Sequence, residues 1–315
     1  MDSPSLVSII SPFYNEGLGV LKFKGAICHA LYSLEEYDFE IICVDDGSAD
    51  NTLSQLIELS KIDNRFKIIE LSRNFGKEAA MTAGIDEAKG DCIILIDSDL
   101  QDPPSLIGKM LIEWKKGFEV VLAKRIDRSS DSFVKRKTAQ FFYHLHNVTS
   151  NIQIPENVGD FRLMDRVVVD ALKKLPERQR FMKGLFAWVG FKSITLEYIR
   201  NARSTGVTKF SGWRLWNFAI EGIASFSLVP LRVWTYIGLL GAVFALFYAT
   251  FIIIRTWIFG IDLPGYASLL VVMLFFGSLQ LISLGIIGEY IGRIYFESKQ
   301  RPIYLIKKLH QFKNK

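Results

Sequence analysis

Short apolar runs recur along the first two hundred positions, and each is followed by a polar or acidic group. Leu6 to Ser11, Phe39 to Val44, Phe66 to Leu71 and Cys92 to Ile96 read as strands, being brief, rich in Ile and Val, and bounded by Asp, Gly, Asn or Ser. Between them, Leu21 to Leu34, Thr52 to Ile62 and Lys77 to Ala88 read as helices, and Ser48 or Asp50 is placed to cap the second. Strand and helix alternating in this rhythm predict an α/β domain with a mainly parallel sheet and helices on both faces. Val120 to Ala123 is a further strand-like run.

After Arg232 the pattern changes. No charged residue occurs from Val233 to Ile254, and at about 1.5 Å per residue a helix of that length crosses the ~30 Å hydrocarbon core. A second uncharged run covers Leu263 to Gly288, with a short turn at Gly260-Ile261-Asp262 between the two. The pair predicts a transmembrane hairpin with spans at about 233–258 and 263–288. Ahead of it, Trp213, Trp216, Ile220 and Ile223 recur at helical spacing, which predicts an amphipathic region at 209–231 lying in the headgroup plane. The organisation expected is a globular domain over 1–208, this interfacial region, the hairpin over 232–293 and a basic tail over 294–315.

Charge sets the orientation. Lys209, Arg214 and Arg232 precede the first span, and Arg293, Lys299, Arg301, Lys307 and Lys308 follow the second, while the turn carries no Lys or Arg. The positive-inside rule then puts the large domain in the cytoplasm and the hairpin in the inner membrane. No signal-peptide pattern opens the sequence. The net charge of +5 gathers mostly around the membrane segments, which fits anionic headgroups better than nucleic acid. Cys28, Cys43 and Cys92 form no CxxC and read as reduced, buried thiols. Gly76-Lys77 lacks the glycine spacing of a P-loop, no GxGxxG occurs, and His144 and His146 are spaced wrongly to share a helix face as ligands.

The chemistry lies where the strands end. Asn15-Glu16, Asp45-Asp46 and Asp97-Ser98-Asp99 follow three separate strands, and in parallel sheets ligands bind at the carboxyl ends. Asp97 and Asp99, with Gln101 two residues on, offer hard oxygen ligands for Mg²⁺ or Mn²⁺. Such an ion neutralises charge on a departing diphosphate.

Several motifs carry a resemblance over essentially the whole chain. They are Pro12-Phe13-Tyr14-Asn15-Glu16, Val44-Asp45-Asp46-Gly47-Ser48, Arg73-Asn74-Phe75-Gly76-Lys77 and Asp97-Ser98-Asp99-Leu100-Gln101-Asp102-Pro103, followed by Gly159-Asp160-Phe161-Arg162-Leu163, Arg203 to Lys209 and Gly288 to Arg293. With them the chain resembles the inverting family 2 glycosyltransferases of GT-A fold. Within these it looks most like the polyprenyl-phosphate branch, the dolichol-phosphate mannose synthases and bactoprenol glucosyltransferases.

The resemblance implies a nucleotide-sugar pocket lined by Pro12, Tyr14, Glu16, Val44 and Asp46, with Asp97, Ser98 and Arg125 along the donor. It implies a metal and diphosphate site at Asp97, Asp99 and Gln101, and phosphate contacts from Lys183, Arg203 and Lys209. Asp160 is the family's candidate base. A phosphate monoester, with a second pKa near ~6, is already a nucleophilic dianion at neutral pH, so Asp160 equally suits an orienting role. Direct in-line attack of lipid phosphate inverts the anomeric centre. UDP-glucose is the expected donor and undecaprenyl phosphate the acceptor, for O-antigen or other envelope glycan; GDP-mannose transfer, or a non-catalytic nucleotide-sugar sensor, is the alternative. A processive polysaccharide synthase is disfavoured, because only two spans occur and QxxRW is missing. Gly238, Gly241, Gly277 and Gly285 permit close helix contacts, and the resemblance implies a homo-oligomer such as a tetramer, with a separate flippase downstream.

Overall fold

The structure, a computed structural model, describes residues 4–126, 158–178, 180–198, 229–260 and 265–311. Arg203, Lys209, the expected interfacial stretch as far as 228, the turn at 261–264 and the histidines at 144 and 146 lie outside the described residues.

The expected α/β core is present. Its elements are β1 (Ser5–Phe13), α1 (Val20–Leu31), β2 (Tyr37–Asp45), α2 (Thr52–Ile62), β3 (Phe66–Leu71), α3 (Lys77–Glu87), β4 (Cys92–Leu95), α4 (Leu106–Lys115) and β5 (Val120–Arg125). Then come β6 (Val158–Asp165), α5 (Arg166–Lys173), α6 (Met182–Trp188), β7 (Ser193–Tyr198), α7 (Val229–Phe259), α8 (Tyr266–Ser298) and β8 (Ile306–His310). The strands form one sheet in the order β7-β5-β6-β4-β1-β2-β3-β8.

Both faces of the sheet are covered, which is why its central strands read as continuous apolar runs. Ile9, Ile41, Cys43 and Ile94 pack under Phe23 and Ile27 of α1, Leu56 of α2 and Met110 of α4. On the other face Ile10, Val44, Ile69 and Leu95 pack under Ala80 and Ala83 of α3, Val169 of α5 and Leu185 of α6. Helix α3 lies so close that a Cβ at Gly84 would stand 2.3 Å from Cγ2 of Ile10. That approach brings the N-terminus of α3 against the strand ends.

Two features depart from a simple parallel sheet. β6 inserts antiparallel between β4 and β5. β8, expected as part of a basic tail, instead pairs antiparallel with the edge strand β3. Its lysines concealed it: Lys307 and His310 reach Glu70 at 2.6 and 2.9 Å, while Lys308 is exposed, as charged residues on edge strands commonly are.

β1 to β5 and β7 all run one way, and β6 and β8 run the other. One edge of the sheet therefore gathers the carboxyl ends of six strands and the starts of β6 and β8. The chain leaves β7 towards α7 at that edge and comes back from α8 into β8 at the same edge.

Helices α7 and α8 contain Val233–Phe259 and Val271–Ser298, both long and apolar enough to cross a membrane. Their apolar side chains, such as Leu240, Phe247, Leu274 and Leu281, are exposed on the protein surface. α8 continues beyond the expected end at 288 to Ser298, and its last turn is tied to the globular domain. Glu297 Oε1 accepts the Arg178 N–H at 2.9 Å, the Arg178 guanidinium donates to the Arg301 carbonyl at 2.7 Å, and the Tyr304 hydroxyl donates to Asp86 at 2.7 Å.

Candidate active site

The first two polar clusters fold into one platform. The Asn15 N–H donates to Ser48 Oγ (3.0 Å), the Ala49 N–H to Asn15 Oδ1 (2.8 Å), the Glu16 N–H to Thr52 Oγ1 (2.9 Å) and the Gly17 N–H to Asp50 Oδ2 (3.1 Å). Asp50 also accepts from the Thr52 N–H at 3.0 Å, but the N-cap of α2 is Asn51, whose side chain makes no capping bond, rather than the expected Ser48 or Asp50. Asn15 sits at φ 53, a left-handed conformation that asparagine tolerates. Tyr14 stands on this platform 44% exposed, its ring available to a ligand.

The platform is buttressed from below by Asp46. Its two carboxylate oxygens accept the N–H groups of Phe75 (2.7 Å) and Gly76 (2.9 Å), which fixes the loop after β3. Burial raises the Asp46 carboxyl above its usual range, against the lowering effect of those two N–H donors. Gly47 permits the junction, for it sits at φ 66 and a Cβ there would lie 2.5 Å from the Arg73 carbonyl carbon. Asp46 is thus almost fully buried and spent on the loop, and its expected place in a pocket wall is corrected accordingly. Val44 is corrected too: its side chain is wholly buried under α3, because strand alternation points it into the core.

The loop that Asp46 holds ends at Gly76 and delivers Lys77 to the first turn of α3. The Lys77 ammonium lies 2.7 Å from Asp97 Oδ1 and 2.6 Å from Asp160 Oδ2. The register explains the meeting. Leu95 of β4 pairs with Arg162 of β6 at the end of the antiparallel ladder, and that register, carried two residues past it, brings Asp97 towards Asp160. Burial alone would lower the Lys77 ammonium, but Asp97 and Asp160 outweigh it and hold it above the ordinary lysine range. Burial alone would raise Asp160, but Lys77, Lys183 and Arg162 hold its carboxyl far below the usual range. At any working pH Asp160 is an anion with little tendency to accept a proton.

Two further charges complete the cluster. Arg162 is buried, donates to the Gly159 carbonyl at 2.8 Å and stacks 3.9 Å over the Phe186 ring. Burial pulls its guanidinium down to about 10, against Asp160 and Glu78. Glu78 accepts the Met182 N–H at 3.1 Å, and burial together with the Asp160 charge pushes its carboxyl up to about 7. A carboxyl raised from 4.5 to about 7 binds protons more tightly in the folded state, so its ionisation costs stability as pH rises through that interval. Glu78→Gln is therefore expected to raise the melting temperature at pH 8 relative to the parent, with the gain shrinking towards pH 5; thermal unfolding across that range checks it.

The third cluster contributes Asp99 and Gln101. The Gln101 N–H donates to Asp99 Oδ1 at 3.2 Å and its side-chain amide to Asp99 Oδ2 at 2.5 Å. Ser98 is nearly buried between the two carboxylates, and Asp102 accepts a hydrogen bond from the Tyr198 hydroxyl at the end of β7. Arg125 closes β5 at the same edge, half-buried. Among the described residues no three His, Cys, Asp or Glu side chains converge as a preformed metal cage. The donor set still fits a hard divalent ion that takes its remaining ligands from water and phosphate, since two carboxylates and an amide follow one strand end. Such an ion would take its protein oxygens from Asp97, Asp99 and Gln101, and would neutralise charge on a diphosphate there.

Of the residues anticipated, Asp97 and Asp160 are joined through Lys77, with Lys183 acting on Asp160 by charge. Lys77 and Arg162 stood within the quoted motifs without a site role, and Glu78 was not anticipated. The signal for Lys77 was its position at the start of a helix after the third strand, equivalent to the other clusters. Arg162 was marked as a lone charge between Phe161 and Leu163.

Comparison with known proteins gives the family. The profile of Glycosyl transferase family 2 matches residues 8–173, and that of the GtrB C-terminal hairpin matches residues 229–294. The chain belongs to glycosyltransferase family 2 and is a transferase of GT-A fold with that C-terminal hairpin. It is 51% identical over 96% of its length to the Synechocystis sp. glycosyltransferase sll0501, covering 95% of that protein. It is 50% identical to the SfII prophage-derived bactoprenol glucosyl transferase of Shigella flexneri, covering 97% of this chain and 98% of that one. The prophage bactoprenol glucosyl transferase homolog of Escherichia coli K12 is also 50% identical, over 96% and 99%. Among solved structures, the Pyrobaculum calidifontis mannosyltransferase in complex with GDP-Man and Mn²⁺ aligns with a TM-score of 0.49 at 16% identity, covering 96% of this chain and 85% of that one.

Proposed function

We propose that this protein transfers a hexose, glucose from UDP-glucose, to undecaprenyl phosphate at the cytoplasmic face of the inner membrane. One observation carries the acceptor assignment. The sheet edge that holds Asp97, Asp160 and Lys77 is the edge at which the chain leaves for α7 and comes back from α8. Lys299 to Leu305 alone link α8 to β8, a reach of at most about 25 Å, which supports an acceptor phosphate presented from the membrane surface on this side of the sheet. The names of the relatives supply the glucosyl and bactoprenol parts of the reading.

In this reading Tyr14, Pro12 and Glu16 receive the nucleotide, Ser98 and Arg125 flank its phosphates, and Arg203, Lys209 and Lys183 take donor or acceptor phosphate. Asp97, Asp99 and Gln101 would hold Mg²⁺ or Mn²⁺, which neutralises the diphosphate when bound. The lipid phosphate is itself the nucleophile and enters opposite the diphosphate. Asp160 orients rather than deprotonates, because Lys77, Lys183 and Arg162 make its carboxylate a weak proton acceptor. The protein acts as a homo-oligomer, its product is turned outward by a separate flippase, and the glycan served is O-antigen or another envelope polymer.

The test is a panel of labelled UDP- and GDP-sugars incubated with undecaprenyl phosphate in the presence of metal or EDTA. UDP-glucose with metal is expected to label the lipid fraction and GDP-mannose to leave it unlabelled. Label from GDP-mannose alone would overturn the donor, and no lipid label from any donor would overturn the acceptor.

A further inference from the structure

The Lys77 ammonium already neutralises the carboxylate that a divalent ion needs. Its Nζ is 2.7 and 2.9 Å from the two Asp97 oxygens and 2.6 Å from Asp160 Oδ2, so it bridges the metal edge and the acceptor side of the site. Its position is fixed from behind, since Asp46 holds the Gly76 N–H at 2.9 Å and α3 starts at the next residue. The side chain is 43% accessible, on the open side of the cleft. Asp160 is only 15% accessible and is held by Lys77 from one side, with the buried Arg162 and the charge of Lys183 contributing from its own face of the site.

We propose that Lys77 is a positioning residue of the transfer reaction: a built-in cation that competes with the divalent ion for Asp97 and, once displaced, stays on Asp160 alone. The proposal rests on the metal reading above. An ion arriving by itself must evict an ammonium from Asp97 with only Asp99 and Gln101 to help. An ion arriving with a nucleoside diphosphate brings phosphate oxygens as further ligands and wins. Donor and metal therefore enter together, and the charge between Asp97 and Asp160 is never left uncompensated. Displacement also narrows Lys77 to a single partner, which fixes Asp160 for the acceptor only after the donor is in place.

The test is Mn²⁺ binding, read from the electron paramagnetic resonance signal of free Mn²⁺, with the full chain in detergent and with or without UDP. The parent is expected to bind weakly alone and at least about tenfold more tightly with UDP. Lys77→Gln is expected to bind Mn²⁺ about tenfold more tightly than the parent without UDP, because one positive charge beside Asp97 is gone. Lys77→Arg, which keeps the charge, is expected to stay weak. Asp160→Asn leaves the ammonium to Asp97 alone and is expected to weaken Mn²⁺ binding further, an opposite shift that still tests the idea should Lys77→Gln not fold. Unchanged or weaker binding by a folded Lys77→Gln, or tighter binding by Asp160→Asn, overturns the competition while leaving the metal site standing. A parent protein that leaves Mn²⁺ free even with UDP overturns the metal reading, and the competition with it.

Discussion

Asp99→Ala is expected to lower transfer by about a hundred- to a thousandfold while the protein still inserts and folds. Loss of one well-placed group that stabilises a departing oxyanion has that scale of effect. The Asp99 oxygens accept the backbone and side-chain N–H groups of Gln101, two residues away. Its removal is expected to strike the diphosphate site more than the sheet. Turnover measured with saturating metal, beside the melting temperature, separates the two. Full activity would remove Asp99 from the chemistry, and a collapse of folding would make it a structural residue.

Asp160→Asn is expected to cost about a hundredfold or more in turnover and to lower the melting temperature as well. The carboxylate is the shared partner of Lys77, Lys183 and Arg162, and deleting one member of such a buried network leaves the others uncompensated. The pH profile decides how it acts. Its carboxyl is held far below the usual range, so the parent's rate should show no limb in the carboxylate region. The one acidic limb expected lies near pH ~6, where the acceptor phosphate gains its second charge. A limb at pH 4 to 5 that disappears in Asp160→Asn would make Asp160 the base after all.

Much of this site could be read from the sequence because strand ends are local features. A run such as Cys92 to Leu95 followed by Asp97 and Asp99 announces itself, and so does Asp45-Asp46 after β2. What the runs do not show is which way each side chain points once neighbouring strands are in register. Val44 and Asp46 carry the same motif as Ser48, yet the pleat sends Val44 into the core and a backbone contact captures Asp46. The cluster around Lys77 depends on β6 inserting antiparallel beside β4, a pairing between residues some seventy positions apart that periodicity does not encode. β8 escaped for a related reason: Ile306 to His310 carries the charge pattern of a tail and becomes a strand only because β3 offers a free edge. The C-terminal hairpin, by contrast, is a matter of length and composition alone: its first apolar segment, Val233–Phe259, falls on the first uncharged run, and its second, Val271–Ser298, runs on past the end of the second.

The most direct test of the account is the structure of the lipid product formed from UDP-α-glucose and undecaprenyl phosphate, determined by proton and phosphorus nuclear magnetic resonance. A single displacement by the lipid phosphate gives a β-linked glucosyl phosphodiester with one phosphorus. An α-linked product would contradict the single displacement, and a product with two phosphorus atoms would show that sugar phosphate, rather than sugar, is transferred.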